Sequence, residues 1–264
     1  MIFISIFKGK PKMQMRYIIG VILLIFIMTI TAYAQVQEKN LVGWWLFDNV
    51  KEETGNFGNI VLHGAKIEKG QLVVETGKWA HSLDYKGPDI EELSLVTWVS
   101  LDNYGKTNGS ALTLDEVSTD QFCAIVWAEK VDRQWMPGSS HFRRTENFPK
   151  AVTEKDTGDM VNLVITYKLV GNLYEITGYR NGESLGSFKK GDSRTWEAGD
   201  AEAIWGKRHV NGLAGPGELN AHIEESRIYN VALTADEVKD LTVGGLAVEA
   251  QGKITTRWAN IKSQ

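Results

Sequence analysis

One cysteine stands in the 264 residues, Cys123, so the chain has no internal disulfide and its fold must rest on a hydrophobic core. Cys123 lies in the apolar run FCAIVWA, where a small buried hydrophobe is the plainer reading than a reactive thiol. The five histidines are scattered, with no His-x-x-x-His or His/Cys spacing, which leaves zinc without support. An excess of positive charge is missing too. Nucleic-acid affinity rests on Lys and Arg neutralising phosphates, so an acidic chain of net charge −4 argues against a nucleic-acid partner. There is no internal repeat and no low-complexity linker.

One long apolar run is present, YIIGVILLIFIMTIT at Tyr17–Thr31, behind a basic start made by Lys8, Lys10, Lys12 and Arg16. It closes on Ala32-Tyr33-Ala34, the small-x-small pattern of a signal-peptidase site. Residues 1–34 are therefore expected to be a signal peptide, cleaved near Ala34, which would leave the protein extracytoplasmic or secreted and free of the membrane. The alternative is a retained anchor, although the run is short for about 30 Å of hydrocarbon. No cysteine stands at the boundary, which excludes a bacterial lipoprotein anchor. Cleavage would leave 25 basic against 33 acidic residues, a net charge of −8.

Beyond the leader, short runs rich in Val, Ile, Thr and aromatics recur between Gly, Asn and Asp. They include LVGWWLFD, QLVVETG, LSLVTWVSL, SALTL, FCAIVWAEK, MVNLVITYK, LYEITGYRNG and AEAIWGKRH. Asn181-Gly182 predicts a tight hairpin, because a type I′ turn needs positive φ at both central residues. So many strands with one helix predict an all-β fold, an antiparallel sandwich or barrel. The helix is predicted in TADEVKDL: Thr234 and Glu237 can form a capping box, Val238 and Leu241 share a face, and Gly244-Gly245 stop it. Too short to stand alone, it must lie against the sandwich, where plugging one open end is the expected role.

The stretch IEESRIYNVALTADEVKDL resembles the closing signature of the LamG-like jelly-roll domains of the concanavalin A-like lectin and glucanase superfamily. LVGWWLFD is similar to that family's first strand, LVTWVSL to its Ala-Trp-Val strand, and VNLVITYK followed by GYRNGE to its central hairpin. The resemblance covers about Leu41 to Leu241 and implies a two-sheet antiparallel jelly-roll sandwich, assigned to residues 35–248, with residues 249–264 as a C-terminal tail. Glu224 stands where the family has Asp, and Ser226 where it has Val.

The superfamily contains glycosidases, whose retaining members need two carboxyl groups roughly 5 Å apart. In glucanases of this fold both come from one strand, as Glu-x-Asp-x-Glu or a bulged variant, and no strand here carries that pattern. LDEVSTD reads as a loop. Gly182–Gly186, GESLG, imitates a nucleophile elbow but begins inside the hairpin turn, so Ser184 reads as a strand residue. A catalytic function is therefore not expected. The resemblance implies one structural Ca²⁺, with Asp48 and Glu224 as the carboxylates carried over by position. The alternative is that Asp48 caps a turn and Glu224 is an exposed strand carboxylate.

For a carbohydrate site, which pairs an aromatic platform with polar groups, Trp135 is the candidate platform. It sits in the polar stretch DRQWMPGSSHFRRT with His141, Arg143 and Arg144, and Arg180 and His209 are expected to converge there. The plainer reading is a hydrophobic loop anchor among solvated arginines. The expected function is a secreted, non-catalytic recognition module for a glycan or a cell-surface partner. The alternatives are a structural or adhesive domain without a small ligand and, last, a glycan-active enzyme.

Overall fold

A computed structural model describes residues 40–105, 108–210 and 216–244; the leader at 1–34 and the tail at 249–264 lie outside the described residues. The first strands are β1 (Leu41–Trp45), β2 (Val61–His63), β3 (Lys66–Glu68), β4 (Gln71–Val74) and β5 (Trp79–Ser82). Then come β6 (Leu93–Leu101), β7 (Ser110–Glu116), β8 (Phe122–Trp127), β9 (Trp135–Ser139) and β10 (Val161–Val170). The chain finishes with β11 (Leu173–Arg180), β12 (Glu183–Lys190), β13 (Ala201–Trp205), β14 (Ala221–Tyr229) and one helix, α1 (Ala235–Lys239). One sheet runs β12-β11-β10-β6-β14-β4-β3, with β1 also on β14; the other runs β2-β5-β13-β7-β8-β9. The strand pairs in both are antiparallel, as expected of a jelly-roll sandwich.

Period-2 burial places the core between the sheets. In β6, Leu93, Leu95, Val99 and Leu101 point inward with Leu163 and Ile165 of β10. Trp45, at the end of β1, packs edge-on against Trp205 of β13 at 4.9 Å. Cys123 is fully buried there, as read from the sequence. Asn181 (φ 51°) and Gly182 (φ 79°) make the expected hairpin turn between β11 and β12. Ser184 is an exposed residue of β12, with no strand-to-helix turn around it. LDEVSTD is corrected in part: Leu114, Asp115 and Glu116 complete β7, and the chain turns only at residues 117–120.

The C-terminal junction closes the first sheet. β14 pairs with β1 in the register Leu41↔Tyr229, Trp44↔Arg227. A bulge between Ile223 and Glu225 lets Ile223, Ser226 and Ile228 face the core while Glu225, Arg227 and Tyr229 face outward. The capping box of α1 forms: Glu237 N–H donates to Thr234 Oγ1 at 3.3 Å, and Thr234 N–H to Glu237 Oε2 at 2.7 Å.

Two expectations about α1 are corrected. It ends at Lys239, ahead of Gly244, because Arg227 and Glu225 pull the next segment of chain back onto the sheet. Nor does it plug an open end. Val238, Leu241 and Leu233 pack against Val96, Trp98, Val164 and Tyr179, on the outer face of the first sheet. Leu241→Ala is expected to cost about 2–5 kcal/mol, and Thr234→Ala about 1 kcal/mol. Thermal unfolding followed by circular dichroism checks this; if neither variant moves Tm, α1 is a loose appendage.

Candidate functional site

The second sheet also has an outer face, and its chemistry is unlike the core's. Alternation sends Leu112 and Leu114 of β7 and Ala201, Ala203 and Trp205 of β13 inward. Thr113 and Asp115, and Glu202 and Ile204, are left on the far side. The ladder sets Glu202 opposite Asp115, Asp115 opposite Phe122, and Ile204 opposite His81. Two carboxylates thus meet across one strand pair, each with a histidine. His81 Nδ1 lies 2.9 Å from Glu202 Oε2, and its Nε2 lies 3.3 Å from His63 Nε2. His63 stacks on Trp79 with centroids 3.9 Å apart. His209 Nδ1 lies 2.9 Å from both oxygens of Asp115, Val210 N–H donates to Oδ2 at 3.2 Å, and the His209 ring stacks on Phe122 at 5.5 Å.

This strip is buried, Asp115 completely and Glu202 to 3% exposure. Burial pushes Asp115 up to about 6, against the opposing pull of His209 and Val210. The hydrogen bond to Asp115 raises His209, with Asp120 adding to it. Burial, and then His81, lowers His63. Asp120 carries the strip to the surface, where His141 Nε2 lies 3.1 Å from its Oδ2. Four of the five histidines therefore lie along one face, which scattered sequence positions conceal. Among the described residues, no group of three or more His, Cys, Asp or Glu is placed to hold a metal ion.

The six residues expected to bind ligand divide into two places. His141, Arg143, Arg144 and His209 gather around Asp120, Phe122 and Asp192. Arg144 is corrected from a surface arginine to a fully buried one: its guanidinium meets Asp192 at 3.2 Å and donates to the Phe122 carbonyl at 3.2 Å, pinning the 140–145 turn to β8. His141 is 70% exposed and Arg143 44%, the latter 3.6 Å from Asp192. Trp135 and Arg180 lie elsewhere. Trp135 is corrected from a loop platform to a residue of β9, 4% exposed, which faces the core and packs on Trp127 at 5.0 Å. Its neighbours in sequence are polar, but alternation along β9 turns it inward. Arg180 makes two 2.8 Å hydrogen bonds to Glu154.

The aromatic side chain that does reach solvent beside His141 is Phe142, 50% exposed. His141 (φ 50°) and Phe142 (φ 56°) are consecutive non-glycine residues in the left-handed region, a conformation that persists where surrounding structure imposes it. Ser140 and Arg144, both buried, anchor the turn on either side. Sequence reasoning passed over Phe142, Glu202, His63 and His81, and set Asp115 aside in a stretch read as a loop. The signal for the acids was available: each stands alone on the alternate face of an apolar strand, in ALTLDE and AEAIW.

The two carboxylates carried over for calcium converge on one turn. Asp48 Oδ1 lies 3.1 Å from the place a Cβ on Gly70 would take, and Glu224 Oε2 accepts from Gln71 Nε2 at 2.8 Å. Gly70 and Gln71 are successive residues of the β3–β4 hairpin.

A laminin G family model described as the concanavalin A-like lectin/glucanases superfamily matches residues 88–239, and the chain belongs to that superfamily. Domain 4 of AbnA, an extracellular arabinanase from Geobacillus stearothermophilus solved with arabinotriose, is similar in fold, with TM-score 0.56 and 20% identity. That match covers 76% of this chain and 97% of that one. Trypanosoma rangeli sialidase, solved with 2,3-difluorosialic acid, aligns with TM-score 0.55 and 14% identity over 78% of this chain, which spans only 33% of the sialidase. No curated protein matches the chain.

Proposed function

We propose that the protein is an exported, non-catalytic carbohydrate-recognition module whose contact surface is the Ser140–Phe142 turn. The observation that carries this reading is the solvent-facing ring of Phe142, held out by a strained turn among groups suited to hydroxyls. An aromatic face takes the C–H side of a sugar. Arg143 and His141 donate to hydroxyl oxygens, while Asp120 and Asp192 accept from hydroxyl protons. The superfamily and the carbohydrate complexes of its structural neighbours agree with a glycan partner. The basic, apolar and Ala-Tyr-Ala segments of residues 1–34 support export.

An enzyme is the second reading, favoured by the facing pair Asp115 and Glu202. Against it, both carboxylates are buried and bound by histidines, whereas a glycosidase nucleophile and acid must reach the scissile bond. A glycan array with the mature chain tests recognition: binding should appear and should vanish in Phe142→Ala. A blank array would leave the structural or adhesive reading. On β-glucans, galactans and simple esters no hydrolysis is expected, and turnover abolished by Asp115→Asn or Glu202→Gln would establish the enzyme.

A structural calcium ion belongs to the same proposal. Calcium takes six to eight hard oxygens, which carboxylates share with carbonyls and water. Asp48 and Glu224, both beside the β3–β4 turn, fit that chemistry. Chelation is expected to lower Tm, and Asp48→Ala to abolish the response. An unchanged Tm in chelator would dismiss the ion.

A further inference from the structure

The histidine strip reaches solvent at the edge of the second sheet, far along the ladder from the Phe142 turn. β2 is the edge strand there, and it pairs with β5 in the register Val61↔His81, His63↔Trp79. His63 and His81 are therefore diagonal neighbours on one face, close enough for long side chains to meet. Each ring is held in place. His63 stacks on Trp79 with centroids 3.9 Å apart, and His81 Nδ1 lies 2.9 Å from Glu202 Oε2. With the Nδ1 proton given to the carboxylate, the lone pair of His81 is on Nε2, the atom that faces His63. The two Nε2 atoms stand 3.3 Å apart, with the rings inclined at 73°. His81 is 6% exposed, whereas His63 is half-buried, so the pair opens to solvent on its β2 side.

A hydrogen bond between the rings is the simplest account of this contact, but 3.3 Å is long beside the usual range of about 2.7–3.2 Å. It is the spacing of two ligands on one tetrahedral ion. Metal–nitrogen bonds of about 2.0–2.1 Å at the tetrahedral angle set two nitrogens about 3.3–3.4 Å apart. A square-planar ion would draw neighbouring nitrogens to about 2.8–3.0 Å, which disfavours Cu²⁺ and Ni²⁺. Calcium takes oxygen rather than imidazole. Behind His81, Glu202 supplies the carboxylate that orients a metal-bound ring through its other nitrogen. We infer that His63 Nε2 and His81 Nε2 form a site for one zinc ion, with Glu202 as its positioning residue. Among the described residues no third His, Cys, Asp or Glu completes the set, so the remaining positions fall to water or to an outside ligand. Binding moves the proton of His63 from Nε2 to Nδ1. The ion clips β2, an edge strand of only three residues, onto β5. Sequence spacing conceals the site, because its ligands are 18 residues apart and only the β2–β5 ladder joins them.

The test is a zinc titration of the untagged mature chain, first stripped with chelator and then kept in millimolar Ca²⁺ so that the Asp48–Glu224 turn does not respond. ¹H–¹⁵N NMR of the histidine rings reads the ligands directly. Zinc should shift the Nε2 signals of His63 and His81 and spare His222, which faces Asp102 at 3.3 Å on the other sheet. Calorimetry should give one ion per chain, and His63→Ala should abolish the binding. Glu202→Gln should weaken it ten- to hundredfold, the usual loss for a carboxylate behind a ligating histidine. Zinc should also raise Tm in the parent and not in His63→Ala. Ring signals unmoved by millimolar zinc, or equal zinc affinity in the parent and His63→Ala, would overturn the site and leave the contact a hydrogen bond. Equal affinity in Glu202→Gln would overturn the positioning role. Should that variant fail to fold, the ring shifts of the parent still decide for or against the two ligands.

Discussion

Arg227→Leu is expected to cost about 3–5 kcal/mol of unfolding free energy, the loss typical of breaking a buried ion pair from one side. Arg227 and Glu225 are both fully buried on the outer face of the first sheet. The guanidinium donates to Glu225 Oε1 at 2.7 Å and to the Thr242 carbonyl at 2.7 Å, and it lies over the rings of Trp98 and Trp44 at 5.1 and 5.6 Å. Without it, the partners of Glu225 among the described residues are the Trp44 indole at 2.6 Å and the Gly244 amide at 2.6 Å, two neutral donors for a buried charge. Total stability of a domain is only about 5–15 kcal/mol, so this one change approaches the limit of what the fold tolerates. The double variant Glu225→Leu/Arg227→Met, which removes both charges and keeps the volume, should recover part of the loss. Urea unfolding at constant m-value measures both. A single variant within 1 kcal/mol of the parent, by the scale of ordinary surface substitutions of about ±0.5 kcal/mol, would mean that the pair is not desolvated as described.

Stability is expected to fall as pH rises from about 5 to about 8, by roughly 1.4 kcal/mol from Asp115 alone. The carboxyl moves from an ordinary 3.8 to about 6, so the folded protein holds this proton more tightly than the unfolded chain does. That contribution is complete below the unfolded value and disappears as pH climbs through about 6. His209 has the same sign: its raised value stabilises the fold below the ordinary 6.5, and the gain is lost as pH passes the higher folded value. His63, lowered by burial, works the other way, stabilising above 6.5 and losing that contribution as pH falls, but it is only half-buried and acts more weakly. Asp115→Asn should flatten the profile while keeping a polar partner for His209. Melting curves across this window decide it, and a parent profile that is level or rising would refute the assignment.

Much of the fold was legible because strand formation is a local matter. In LSLVTWVSL or VNLVITYK, alternation and β-branching specify a strand whatever surrounds it, and Asn181-Gly182 specifies its turn through φ alone. The capping box at Thr234 and Glu237 is equally local, since its four atoms belong to one turn of chain. The site was less legible. Trp135 stands out among polar neighbours, yet the ladder of β9 turns it into the core, and the exposed aromatic is Phe142, seven positions on. Arg144 reads as solvated, but it is a buried pin. The search for acids within one strand missed Asp115 and Glu202, which come from different strands.

The amino-acid order thus determined by itself that the protein would be an all-β chain of short strands and hairpins with one short capped helix, because those features depend on residues close together in the chain; a sandwich rather than a barrel was implied by the family resemblance. Only the tertiary structure decided which strands became neighbours. That decision set Glu202 beside Asp115, drew four of the five histidines to one face, and laid α1 on the outside of a sheet rather than across an open end. Register between strands far apart in sequence is chosen by the packing of the whole core, since a slip of one residue would exchange every buried side chain for its exposed neighbour.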